Sequence, residues 1–150
     1  MPEEKRARLQ SRIAVYLLLR KGDEVLLSLR QNTGYRDGSW SMVAGHAEEG
    51  EGIIDALIRE AKEEANIDIK RDDLEVAHVM YFYGDRPYVY FFIICKKYSG
   101  EIRNIEPHKC GGLKFFKENN LPPNTVEAVK AAIENIKNGK LFSEVVLSHG

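Results

Sequence analysis

The stretch that decides the reading of this chain is Gly45-His46-Ala47-Glu48-Glu49-Gly50-Glu51-Gly52, followed after Ile53–Ile58 by Arg59-Glu60-Ala61-Lys62-Glu63-Glu64-Ala65-Asn66-Ile67. Ile54, Leu57, Ile58, Ala61 and Ala65 recur at helical spacing, which predicts an amphipathic helix over residues 53–65. On that helix Glu60, Glu63 and Glu64 stand at i, i+3 and i+4, so their carboxylates share one face. Three like charges there repel, at a few tenths of a kcal/mol (~0.2–0.5) per exposed pair. They also crowd the helix C-terminal half, where the macrodipole disfavours anions. A solvated acidic face is the plain alternative. A divalent cation reverses the sign of the argument, because Mg²⁺ takes hard oxygen ligands from a few carboxylates together with substrate phosphates.

The loop before the helix strengthens the second reading. Gly45, Gly50 and Gly52 let backbone approach the helix start closely, where free N–H groups and a carbonyl can meet phosphate or metal. Arg59 can reach Glu63 one turn on, or Glu51 across the loop, and hold either in place.

Outward from this segment, Ile13–Leu19 and Val25–Leu29 read as a strand pair about the Lys21-Gly22-Asp23 turn. Asn32–Ser39 is a loop and Trp40–Val43 a short strand. Val76–Tyr83 and Tyr88–Cys95 are aromatic, β-branched strands joined by Gly84-Asp85-Arg86-Pro87. Leu113–Phe116 is another strand. Thr125–Ile136 is a second helix, with Thr125 as its expected N-cap. The tail Leu141–Leu147 suits an added strand or a dimer contact, so monomer and homodimer both stand open. With no repeat or linker, residues 1–150 predict one α/β domain, a mixed sheet covered by helices on both faces.

A net charge of −1 and a pI near 6.4 exclude a global field that recruits DNA or an anionic membrane. The charged start MPEEKRARLQ lacks a signal-peptide core, and the longest apolar run, Val89–Cys95, is too short to span a bilayer. Cys95 and Cys110 show no CxxC spacing, and Cys95 reads as a buried strand thiol. These features predict a cytoplasmic protein with no membrane partner. His46, His78, His108 and His149 show no metal-ligand spacing and read as structural or surface residues. Arg30 and Arg36 are candidate phosphate contacts, and Tyr35 or Trp40 could stack on a base, Trp40 serving equally well as core.

Gly45, five residues, Glu51, seven residues, then Arg59 to Ile67 resembles the Nudix box G-x5-E-x7-R-E-U-x-E-E-x-G-U, where U is aliphatic. The box covers about a sixth of the chain. Asn66 stands where the family has Gly, and Asn is the next residue to tolerate the left-handed conformation that ends the helix. Val43-Ala44-Gly45 replaces the Pro-Gly-Gly of many members. The resemblance implies a Nudix-type α/β/α sandwich with a mixed β-sheet. It also implies dependence on Mg²⁺, with Mn²⁺ as the alternative, and a small-molecule nucleotide substrate cleaved at a diphosphate linkage.

Site roles follow from the resemblance alone. Gly45 (through its carbonyl), Glu60, Glu63, Glu64 and Glu106 are implied metal ligands, with Glu48 assisting. Glu63 is either ligand or base, Arg59 the orienting cation and Glu51 its partner. Leu121-Pro122-Pro123-Asn124 resembles the MutT-type segment whose Asn contacts a purine, so Asn124 joins Arg30 as a substrate-binding candidate. A MutT-like nucleoside triphosphate pyrophosphohydrolase is the first reading. An ADP-ribose or other nucleoside diphosphate conjugate hydrolase is the rival, and a Nudix domain that binds a nucleotide without cleaving it is the third.

Overall fold

The computed structural model describes residues 6–147. Eight strands build one mixed sheet: β1 (Arg12–Lys21), β2 (Glu24–Arg30), β3 (Trp40–Ser41), β4 (Ala44–His46), β5 (Leu74–Tyr83), β6 (Pro87–Cys95), β7 (Cys110–Lys117) and β8 (Phe142–Val146). Their order is β3-β2-β1-β6-β5-β8, with β4 added to β1 and β7 to β2. β1 runs parallel to β6 and β8 parallel to β5, while the other pairs are antiparallel. Two helices, α1 (Ile53–Ala65) and α2 (Glu127–Lys137), cover the sheet's two faces.

β1 shows why the layers form. Its side chains alternate: Val15, Leu17 and Leu19 enter the core under α1, while Ala14 and Leu18 enter the core under α2. A strand buried on both faces reads as a continuous apolar run, as this one does. Under α1 the sheet meets Ala56, Leu57, Ala61 and Ala65, all fully buried. Under α2 it meets Val129, Ala132 and Ile133. Each fully buried Leu or Ile contributes about 1.5–3 kcal/mol. Ile54 and Ile58, on the expected stripe, are half-buried at its margin, and Ala56 takes the deeper place.

Several boundaries move. The expected strand 40–43 shortens to β3, Trp40–Ser41, which pairs with β2, and a further strand, β4, follows at Ala44–His46 and pairs with β1. β7 extends past Leu113–Phe116 at both ends. Thr125 is not the cap of α2: Val126 occupies that place without a side-chain bond, and the Thr125 hydroxyl donates to the Pro122 carbonyl at 2.7 Å. The tail forms β8. His78 is buried, its Nδ1–H donating to the Lys140 carbonyl (2.8 Å) while Nε2 meets the Ser143 hydroxyl (2.7 Å), which ties β8 to β5. Cys95 is a buried thiol in β6. The reading of His149 lies outside the described residues, among which no helix is long and apolar enough to cross a membrane.

Candidate active site

α1 ends where Asn66 adopts φ 62°, ψ 27°, the left-handed conformation usually given to glycine. Its N–H donates to the Lys62 carbonyl and its side-chain amide to the Glu101 carbonyl at 3.0 Å, so the substitution costs the helix end little. The chain beyond is sewn to the same helix end. Arg103 N–H donates to the Ala65 carbonyl and Ile105 N–H to the Glu64 carbonyl, which carries Glu106 to the acidic face.

Arg59 organises that face. Its Nε and Nη2 bind the two Glu51 oxygens at 2.7 and 2.9 Å in a fork. Nη1 donates to Glu60 Oε1 at 2.8 Å and Glu63 Oε2 at 3.2 Å, and Nη2 also reaches the His46 carbonyl. Arg59 Nη1 lies 3.4 Å from Glu48. Both partners foreseen for Arg59, Glu51 and Glu63, are engaged at once. The Arg59 hydrogen bonds hold the Glu51 carboxyl down at about 2, well below the usual range.

Glu64 is the opposite case. Burial, then a shared hydrogen bond with Glu60, then the charges of Glu60 and Glu106 push its carboxyl far above the usual range, opposed only in part by the Ala44 N–H. Its Oε2 is buried without a hydrogen-bond partner. Such an atom costs stability unless something satisfies it. Beside it, β4 brings Gly45 against Glu60. A Cβ at position 45 would fall on the Glu60 carboxyl carbon, so glycine lets the backbone lie on that carboxylate and any larger residue would displace it.

These observations fit a divalent cation: hard oxygen donors, an unsatisfied buried carboxylate oxygen, and a single Arg against a surplus of acids. Among the described residues no three acidic, His or Cys side chains already converge as a closed metal cage. Glu60 and Glu63 both pair with the Arg59 guanidinium, at 2.8 and 3.2 Å.

A cavity of about 910 Å³ opens beside these carboxylates. Gly45, His46, Arg59, Glu60, Glu63, Glu64 and Glu106 line one side. Tyr16, Phe82, Tyr88 and Tyr90 line the sheet side, and Arg30, Tyr35 and Arg36 the loop side. Arg30 is already partly engaged: Nε donates to the Tyr35 carbonyl at 2.7 Å, Nη2 to Thr33, and the guanidinium lies 5.2 Å from the Tyr35 ring centre. Of the two stacking candidates, Tyr35 lines the cavity, whereas Trp40 packs on Phe116 at 4.8 Å in the core under α2. Asn124 lies apart from the cavity lining, and its amide donates to the Gly38 carbonyl at 2.8 Å.

Sequence reasoning missed Tyr16, Phe82, Tyr88, Tyr90, Arg86 and Lys109 as cavity residues. One signal was available: Tyr16 interrupts an aliphatic strand, and Tyr88, Tyr90 and Phe92 alternate along another.

Comparison with known proteins supports the same assignment. The NUDIX domain profile matches residues 8–135. A relative named NAD-capped RNA hydrolase NudC, from Pseudomonas putida, is 28% identical over 110 residues, covering 73% of this chain and 38% of that protein. Its namesake from Vibrio vulnificus is 28% identical over 114 residues, covering 73% of this chain and 40% of its own length. The chain thus spans well under half the length of these relatives. Among solved structures, a MutT NUDIX hydrolase from Burkholderia pseudomallei superposes with a TM-score of 0.77 at 24% identity, covering 83% of this chain and 97% of its own; it bears on the fold. Box, fold and family profile agree: the chain belongs to the NUDIX domain family, whose relatives named above are hydrolases.

Proposed function

We propose that this chain hydrolyses a diphosphate linkage in a nucleotide derivative with the help of Mg²⁺ or Mn²⁺. The observation that carries the reading is Glu64, a buried carboxylate whose Oε2 has no partner, set against Glu60 and Glu106 beside the Gly45 backbone. Glu60, Glu64, Glu106 and the Gly45 carbonyl would hold the cation, with Glu63 at the open side. When bound, the cation neutralises phosphate charge and makes a water easier to deprotonate. Glu63 also meets Arg59, at the longer distance of 3.2 Å, but its side chain is 54% exposed and reachable by water, so we assign it to accept the proton; Glu60 is 14% exposed and Glu64 is buried. Arg59 and Glu51 keep that face in register. Arg36 and Lys109, on the cavity wall, are placed to meet phosphate oxygens.

For the finer substrate, the conjugate reading has more support than the triphosphate reading. Asn124, which suggested a purine reader, lies outside the cavity lining and gives one amide hydrogen to the Gly38 carbonyl. The cavity lies near the upper end of the usual range for ligand sites, roughly 300–1,000 Å³, and its organic lining extends on two walls beyond the acidic face. The relatives' name, NAD-capped RNA hydrolase, points the same way. The test compares kcat/KM for ADP-ribose, NAD and the deoxynucleoside triphosphates with Mg²⁺ and with EDTA. Turnover of a diphosphate conjugate above every triphosphate, abolished by EDTA, is expected. Full activity in EDTA overturns the metal assignment, and a triphosphate in first place overturns the conjugate reading.

A further inference from the structure

Three tyrosines from three separate elements meet in the cavity: Tyr16 from β1, Tyr90 from β6 and Tyr35 from the loop after β2. Tyr90 is the hub of an aromatic floor, with ring centres 5.2 Å from Tyr16, 5.6 Å from Tyr88 and 5.9 Å from Phe82. An aromatic cluster is ordinarily core, and the far side of this one is. The side bearing Tyr16, Phe82 and Tyr88 is half-buried and lines the cavity.

Tyr35 argues against a purely structural floor. Tyr35 is 52% exposed, yet it is held in place. Arg30 lies over the ring and binds the Tyr35 carbonyl. The turn beneath is knotted by Asp37, which accepts from the Thr33 N–H, the Thr33 hydroxyl and the Gly34 N–H. A large ring kept out in water by a pre-ordered loop is an expected feature of a stacking site, because its conformational entropy is already spent.

The hydroxyls add a second feature. Tyr16 and Tyr90 both line the cavity with ring centres 5.2 Å apart, and a phenol hydroxyl can donate and accept, so Tyr90 brings a polar group to the aromatic floor.

We propose that the floor made by Tyr16, Phe82, Tyr88 and Tyr90, closed from the loop by Tyr35 on Arg30, clamps the planar heterocyclic ring of the substrate, and that the Tyr90 hydroxyl reads the ring's edge. This rests on the nucleotide reading of the same cavity and adds to it the residues that recognise the organic half. Every base has a π-face, so stacking holds any base, and the single hydroxyl contributes the discrimination.

The test is calorimetric titration of the whole chain, with Mg²⁺ throughout, using the 5′-monophosphates of adenosine, guanosine, cytidine and uridine, and ribose 5-phosphate as the ring-free control. The wild type should bind at least one ring-bearing monophosphate more tightly than ribose 5-phosphate. Tyr35→Ala, an exposed change that spares the fold, should weaken that ligand about 5- to 150-fold, the worth of one base–aromatic stack, and leave ribose 5-phosphate unchanged. Tyr90→Phe should keep the stack while levelling the four monophosphates. The clamp is overturned if ribose 5-phosphate binds as well as every nucleotide, or if Tyr35→Ala weakens both classes alike or neither. Because no turnover is involved, the two readings fail separately. A chain that binds rings this way but cleaves nothing sinks the hydrolase reading alone, whereas one that cleaves diphosphates without favouring rings sinks the clamp alone.

Discussion

The two walls of one cavity are built by different means. The acidic wall comes from a single run of chain: Gly45 to Glu64 supplies all but one of its members, and Glu106 alone arrives from a distance. The other wall gathers Tyr16, Arg30, Tyr35, Phe82, Tyr88 and Tyr90 from four strands and a loop. Phosphorus chemistry needs several charges fixed within a few ångströms, and helical spacing with one close glycine provides that locally. Recognition of an organic group needs a shaped surface, which only the assembled sheet provides. Changes on the acidic wall should therefore fall on kcat, and changes on the aromatic wall on binding.

The largest effect expected is at Glu60 and Glu64. Either Glu→Gln change removes a charged ligand and should lower kcat by roughly a thousandfold or more, several kcal/mol of electrostatic stabilisation. In EDTA, melting should be retained or raised for Glu64→Gln, since a neutral amide suits that buried, acid-crowded site. Near-wild-type kcat in both variants at saturating Mg²⁺ removes the acidic wall from the chemistry.

Gly45→Ala comes next. Gly45 has no left-handed φ to protect, so the backbone tolerates Ala, but the new Cβ must displace the Glu60 carboxyl carbon. A displacement near 1 Å costs on the order of a hundredfold in rate. Unchanged melting with a fall in kcat is the expected pair of results. A collapse of melting with no fall in kcat would mean that the glycine serves the fold.

Most of the acidic wall was legible in the sequence because its geometry is local. Glu60, Glu63 and Glu64 share a face by helical period, and Asn66 ends the helix as a left-handed residue should. The fold was legible too, through the two-sided burial of β1 and the stripe of α1. The aromatic wall was not. That Tyr16 faces Tyr90 depends on the parallel register pairing Ala14 with Tyr90 and Tyr16 with Phe92, which no local pattern reveals. Asn124 stays ambiguous in the sequence for the reverse reason: a Pro-Pro-Asn-Thr run suits a purine reader and a loop clamp equally, and only the structure shows the amide's contact with Gly38.

Arg59→Ala should cost about 10- to 100-fold, as for residues that orient metal ligands, and the loss should fall on kcat with KM little changed. A loss confined to KM would make Arg59 a substrate contact. The pair also has a pH signature. Glu51 titrates near 2 when folded, below its ordinary 4.5, so its contribution to stability is complete above about 4.5 and is lost as pH falls toward 2. Glu51→Gln should lower the melting temperature most above about pH 4.5, with the gap to the wild type closing as pH falls toward 2.

The smallest effect is expected at Asn124, and it separates the walls most finely. Its amide makes one exposed hydrogen bond to the Gly38 carbonyl, at the end of the loop that carries Tyr35. Backbone contacts hold the same junction: Trp40 N–H donates to the Asn124 carbonyl, and Val126 N–H to the Trp40 carbonyl. Losing the side chain removes one of several ties, worth about 0.5–1.5 kcal/mol, or roughly two- to tenfold in kcat/KM at most. Because the amide stands outside the cavity, the loss should be the same for every base. Measuring kcat/KM across purine and pyrimidine substrates in Asn124→Ala, beside Tyr90→Phe, gives the contrast. A uniform small loss in the first and a levelled ranking in the second place base reading on the aromatic wall. A reordered ranking in Asn124→Ala would return the purine contact to that residue and leave the aromatic wall as packing alone.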